Sequence, residues 1–237
     1  MGLLLLIIIP FYNTFLKPAP SCKDGVQNQN EEGIDCGGVC ATICLPADLQ
    51  PITLAERPRI FLPLPERLSV LIRFKNPNPE YGATFQYQLT ISDEANQPLG
   101  SLSREEFLFP GQIKYVLVPN FSLKGVERVT QADVQIGTTN WVPQAYVAQP
   151  QVALRNESTA EEEGVLRVRG TVVNEDIRPA KKVVITALFA NQWGGTLGVS
   201  ATTLEQVLAG ETRDFSISHP PMINVNLEET KVFVSAE

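Results

Sequence analysis

In residues 84–92, Phe85, Tyr87, Leu89 and Ile91 alternate with Gln86, Gln88 and Thr90. This period of two most limits what the chain can fold into. It places every apolar side chain on one face of an extended backbone and every polar one on the other, as in a half-buried strand. Comparable short runs occupy residues 68–76, 114–119, 132–137, 165–175, 181–190, 213–218 and 231–236. They are rich in Val, Ile, Thr and Phe, and 18 prolines are spread along the chain. Branched and aromatic side chains suit a pleated surface and proline breaks helix interiors, so many short strands are expected.

The runs come twice. Asn76 follows the first long run as Asn174 follows its counterpart, an offset of 98 (174 − 76). Leu99-Gly100 answers to Leu197-Gly198 at 98, and Pro110-Gly111 to Ala209-Gly210 at 99. A near-constant offset marks a tandem repeat. Gly210 is expected in a turn that needs positive φ. The expected class is all-β, with two tandem β-sandwiches at residues 68–147 and 148–237 that meet near Pro143 and Pro150. A spacer at residues 45–67 has five prolines, which favour extended chain, and leaves room for a first edge strand near residues 58–64. A hydrophobic content of 43% fits folded domains rather than disorder.

All four cysteines, Cys22, Cys36, Cys40 and Cys44, fall within residues 18–44. Structural zinc sites bring together two close pairs, whereas here one cysteine stands apart from a run of three. Two disulfides in a small local knot are the expectation, with a metal–thiolate site or free thiols as alternatives and the pairing open. Between the first two cysteines lie Asp24, Asn28, Glu31 and Asp35 among turn glycines. Clustered carboxylate and amide oxygens are the ligands calcium takes, so these four are the candidate metal set. Val26 stands where an EF-hand loop would carry its second ligand, and a solvated acidic loop is the other reading.

The segment resembles a cysteine-rich motif of bacterial exported proteins, C-x-D-G-x-x-N-x-x-E-x-G-x-D-C-G-G-x-C. Cys22, Asp24, Gly25, Asn28, Glu31, Gly33, Asp35, Cys36, Gly37, Gly38 and Cys40 match it in order, and Cys44 departs from its usual close by one residue. The resemblance implies an extracytoplasmic setting and no catalysis. The second repeat is similar to FxLyD-type immunoglobulin-like domains through Gly170, Val172, Asn174, Leu208, Gly210, Glu211 and Phe215, although its Ala187-Leu188-Phe189-Ala190 departs from the name-giving letters. The first, with Asn76-Pro77-Asn78-Pro79, is similar to late-embryogenesis-abundant-like sandwiches. These likenesses imply immunoglobulin-like sandwiches in an exported, modular protein.

Residues 2–16 are apolar, about 22 Å as a helix against a hydrocarbon layer of about 30 Å, with Pro10 in the middle. Residues 1–17 are expected to be a retained signal anchor, with cleavage before Cys22 or lipidation of Cys22 as alternatives. The membrane is then one partner, through this segment. A net charge of −7 argues against a nucleic-acid surface, and no nucleic-acid partner is expected.

The single histidine, His219, has no nucleophile or orienting acid beside it in sequence and is expected as an exposed loop residue. No Gly-rich phosphate loop, HExxH pair or GxSxG elbow occurs. Trp141 and Trp193 read either as packing or as exposed rings for a carbohydrate. The expected function is therefore non-enzymatic: an anchored surface or envelope protein whose sandwiches bind a protein or polymer. The alternative is a stalk that only sets distance from the membrane.

Overall fold

The computed structural model describes residues 21–123 and 125–237; the expected membrane segment at residues 1–17 lies outside them. Among the described residues no helix is long and apolar enough to cross a membrane. The chain divides into two units, one ending at Leu49 and one running from Gln50 to Glu237.

In the larger unit every expected run is a strand. Those of the first half are β1 (Thr53–Leu54), β2 (Arg59–Leu64), β3 (Arg67–Lys75), β4 (Tyr81–Asp93), β5 (Pro98–Leu108), β6 (Ile113–Ser122) and β7 (Val129–Pro143). The second half carries β8 (Val152–Glu162), β9 (Val165–Asn174), β10 (Ala180–Ala190), β11 (Thr196–Val207), β12 (Thr212–His219) and β13 (Asn226–Ala236). β2 is the edge strand for which the Pro-rich stretch left room. β5, β8 and β11 have no counterpart among the runs read from the sequence.

Each half is sandwich-like. In the first, β3 pairs with β1 and β2 on one side and β6 on the other, and a second sheet has the order β5-β4-β7. In the second half the orders are β12-β9-β8 and β11-β10-β13. The pairings are antiparallel throughout. The two halves therefore use equivalent strands in equivalent places.

Alternation decides what is buried. Phe85, Tyr87, Leu89 and Ile91 of β4 face Leu68, Val70, Ile72 and Phe74 of β3 in the first core. Phe74 packs edge-on against Phe85 with centroids 5.0 Å apart, a favoured aromatic geometry. The second core has Val183, Ile185, Ala187 and Phe189 of β10 against Leu166, Val168 and Val172 of β9.

A third, smaller cluster joins the halves. Phe61 and Leu71 come from the first, and Leu188 and Val199 from the second. Leu71 and Leu188 lie on the outer faces of their strands, among polar neighbours such as Ser69 and Arg73 of β3 and Thr186 of β10, so both strands bury residues on both sides. Beside this cluster the Tyr115 and Phe233 rings lie 4.6 Å apart. The Lys114 ammonium, buried to 6% exposure, contacts Glu106 at 2.7 Å and Glu237 of the other half at 2.6 Å. Burial alone would push this ammonium's pKa down. The charge of Glu106 and the hydrogen bonds to Glu106 and Glu237 outweigh it and hold the pKa above the usual lysine value.

The repeated asparagines are the corner pieces of each half. Both are fully buried. Asn174 Nδ2 lies 2.9 Å from the carbonyl of Arg178 and 3.0 Å from those of Val207 and Leu208, its two hydrogens shared among the three, while its Oδ1 accepts from Asp176 N at 3.0 Å. Asn76 Nδ2 donates to the carbonyls of Tyr81 (2.6 Å) and Phe109 (3.0 Å), and its Oδ1 accepts from Asn78 N at 3.0 Å. Asn76 ties the end of β3 to the β5–β6 turn, and Asn174 ties the end of β9 to the β11–β12 turn. In those turns Gly111 and Gly210 have φ of 66° and 69°, the left-handed conformation expected of Gly210.

Candidate functional site

All four cysteines are oxidised, as Cys22–Cys40 and Cys36–Cys44. The two bridges interlace, because Cys36 lies inside the first loop and Cys44 outside it. Few side chains are buried here, and Val26, Ile34 and Val39 are more than half exposed. So small a segment cannot hold itself by apolar burial, which leaves the cross-links and polar contacts to define it.

The four residues read as calcium ligands form a hydrogen-bonded ring. Asp35 accepts from Asp24 N at 3.0 Å and Gly25 N at 2.9 Å. Asp24 accepts from Ser21 N at 2.9 Å, Val26 N at 3.0 Å and Asn28 Nδ2 at 3.1 Å. Glu31, the one buried carboxylate of the ring, accepts from Asn28 N at 3.0 Å and Asp35 N at 3.3 Å. The Ser21 N–H first, and then the Asn28 amide, hold the Asp24 pKa below the usual aspartate value.

These carboxylates cap main-chain N–H groups rather than converge on one point. Among the described residues, one group of three His, Cys, Asp or Glu side chains brings its ligand atoms within 4.8 Å of one another: Cys22, Glu31 and Cys40. Two of those sulfurs are joined to each other, so the group offers no thiolate. Glu31 Oε1 lies 3.0 Å from Cys40 Sγ, a sulfur–oxygen contact in which the bridged sulfur has no hydrogen to donate. Gly38 explains part of the motif: a Cβ there would sit 1.8 Å from Asn30 O, and its φ is +55°.

His219 departs from expectation. It is 4% exposed, not a loop residue. It ends β12, where Phe215, Ile217 and His219 all point inward, so the same period of two that builds the core carries the imidazole into it. Its Nδ1 lies 2.7 Å from Pro220 O, the ring sits 5.0 Å from Phe189, and Nε2 has no partner. Burial lowers its pKa, offset in part by the Pro220 carbonyl. Between that lowered value and the unfolded value of about 6.5, the unfolded chain binds the extra proton and the folded one does not. Stability should therefore fall as the pH drops below about 6.5, by at most about 1.4 kcal/mol per pH unit. Urea unfolding between pH 7 and 5 should show that slope, and His219→Gln should flatten it. An unchanged slope in the variant would refute the assignment.

The tryptophans separate. Trp141 is partly buried against the first core. Trp193 is 79% exposed at the β10–β11 turn, in a cleft shared with the start of β13.

No protein-family model matches the chain, and no curated protein matches it significantly. Among solved structures, the chain is similar to red sea bream transglutaminase at 12% identity and a TM-score of 0.24, over 77% of this chain and 31% of that one. It thus spans about a third of that enzyme's length. It is also similar to an anti-sigma factor domain-containing protein at 11% identity and a TM-score of 0.18, over 76% of this chain and 88% of that one. Likenesses of that size bear on neither fold family nor activity.

Proposed function

We propose that this is a membrane-anchored, extracytoplasmic binding protein with no catalytic role. In this reading residues 1–17 hold it in the membrane, and the disulfide knot follows. Two tandem immunoglobulin-like, FxLyD-like sandwiches then present their surface to a protein or polymer. The observation that carries it is the closure of all four cysteines into two disulfides within a segment that has almost no apolar core. Such a segment is stable where thiols stay oxidised, outside the cytoplasm. Binding rather than spacing alone is supported by the cleft beside the exposed Trp193 in the second half. The acidic ring of the knot serves as an internal cap for main-chain N–H groups.

The test uses the full chain in a bacterial host. Protease added to intact spheroplasts should remove both sandwiches and leave a membrane stub; a protected body would overturn the topology. Crosslinking on intact cells should capture a defined partner through the body. If none is captured, the stalk reading replaces the binding one.

A further inference from the structure

The far turn of the second half shares its main-chain frame with its counterpart in the first but displays a different side chain. The β10–β11 turn is locked by Asn191. Its Oδ1 accepts from Trp193 N at 3.0 Å and Gly195 N at 2.9 Å, its main-chain N donates to Gly195 O at 2.9 Å, and its carbonyl accepts from Gly194 N at 2.9 Å. The turn therefore holds the exposed Trp193 indole on a fixed backbone. In the equivalent β4–β5 turn, Asp93 makes the matching bonds to Ala95 N at 3.0 Å and Gln97 N at 2.9 Å, yet the sequence Asp93-Glu94-Ala95-Asn96 carries no aromatic ring. The same device exists in both halves, and only the second uses it to display an indole.

Trp193 lines a cleft of about 570 Å³ with Gln192, Asn224, Asn226 and Glu228. Asn226 Oδ1 accepts from Glu228 N at 3.1 Å, which orients the amide and leaves its Nδ2 without a partner among the described residues. The side chains of Gln192, Asn224 and Glu228 make no hydrogen bond or ion pair among the described residues. One ring face, three amides and one carboxylate thus share a concave surface with their bonding capacity unspent by the protein. An exposed aromatic surface flanked by polar groups free to pair, one of them oriented, can hold a small ligand that offers an apolar face and several hydroxyls.

We infer that this cleft binds a neutral pyranose sugar. An indole stacks on the C–H face of a ring whose hydroxyls are equatorial. Side-chain amides, each able to donate and accept, then pair with neighbouring hydroxyls at its edge. Glu228 accepts from hydroxyls but repels carboxylated or phosphorylated sugars, and the net charge of −7 works in the same direction. The inference deepens the reading of the body as a binding module and names the chemical class of its ligand.

The full chain has two tryptophans, and Trp141 is packed against the first core, so a ligand-induced change in emission reports on Trp193. Wild type, Trp193→Ala and Asn226→Ala should be tested on an immobilised panel of neutral oligosaccharides. Soluble trimers of β-1,4-linked glucose and N-acetylglucosamine then serve for fluorescence titration. The expected result is binding of at least one neutral oligosaccharide on the panel, weakened about tenfold or more by Trp193→Ala and less by Asn226→Ala, with both variants unfolding at the wild-type temperature. No binding by the wild type, or equal binding by Trp193→Ala, overturns the inference. Retention by phosphatidylcholine or phosphatidylglycerol vesicles through Trp193, without sugar binding, overturns it in favour of a membrane-contacting tip. If sugar binding fails while cell-surface crosslinking still captures a partner, only this inference falls and the broader function stands.

Discussion

Asn174→Ala should lower the stability of the Gln50–Glu237 body by about 3–4 kcal/mol, one of the largest effects open to a single change there. The side chain is fully buried; its amide shares two hydrogens among three carbonyls and its oxygen accepts from Asp176 N. Truncation leaves those groups without their partner, and an unmade buried hydrogen bond costs more than a made one contributes. The lost atoms are few, so the cavity adds little, and the effect should be dominated by unsatisfied main chain. Asn174→Asp should do no better, since it turns an acceptor toward carbonyl oxygens that need a donor. Asn76→Ala should behave alike, because Asn76 bonds the carbonyls of Tyr81 and Phe109 in the equivalent corner. Urea unfolding would show a lower midpoint at unchanged slope. A loss below about 1 kcal/mol would mean that water replaces the side chain, and that the corner does not hold the sandwich.

Replacing all four cysteines by serine should unfold residues 21–49 and leave the body untouched. The bridges span sequence separations of 18 and 8. On the chain-entropy account they restrict the unfolded segment by about 3 and about 2.5 kcal/mol. Because the loops interlace, each also limits what the other's loss would release. Little else opposes unfolding here, for only Glu31 of the ring Asp24, Asn28, Glu31 and Asp35 is buried and the hydrogen bonds of the others compete with water. Amide NMR spectra should show the signals of residues 21–49 collapsing to random-coil positions while those of the sheets stay dispersed. Dispersed knot signals in the serine variant would show that the carboxylate ring holds the segment alone. Millimolar calcium is a further arm of this experiment. Refolding of the serine variant by calcium would establish the ring as a cage rather than a set of caps.

Much of the body was legible in the sequence, and the reason is local. Strands whose inward faces are apolar announce themselves by alternation, as β4 does, and the offsets of Asn76/Asn174 and Gly111/Gly210 reappear as equivalent corners. β5, β8 and β11 were not legible. Each is a sheet edge with a largely polar face, as in the SREE of β5 and the RNES of β8. Such segments are strands because a central neighbour offers a ladder of main-chain partners, and side-chain patterning does not record that. The four ring residues of the knot could be named from composition, but spacing could not say whether their oxygens meet an ion or main-chain N–H groups.

The sequence by itself determined the strand period, the repeat and the confinement of all four cysteines to one short segment, because each is a property of neighbours along the chain. Only the tertiary structure decided the pairing Cys22–Cys40 and Cys36–Cys44, the burial of His219, and the joining of the halves through Leu71, Leu188 and the Lys114–Glu237 contact. Those depend on which surfaces meet across the fold. The outer faces of β3 and β10 mix polar residues such as Ser69, Arg73 and Thr186 with Leu71 and Leu188, so patterning along the chain does not tell which part of them another surface covers.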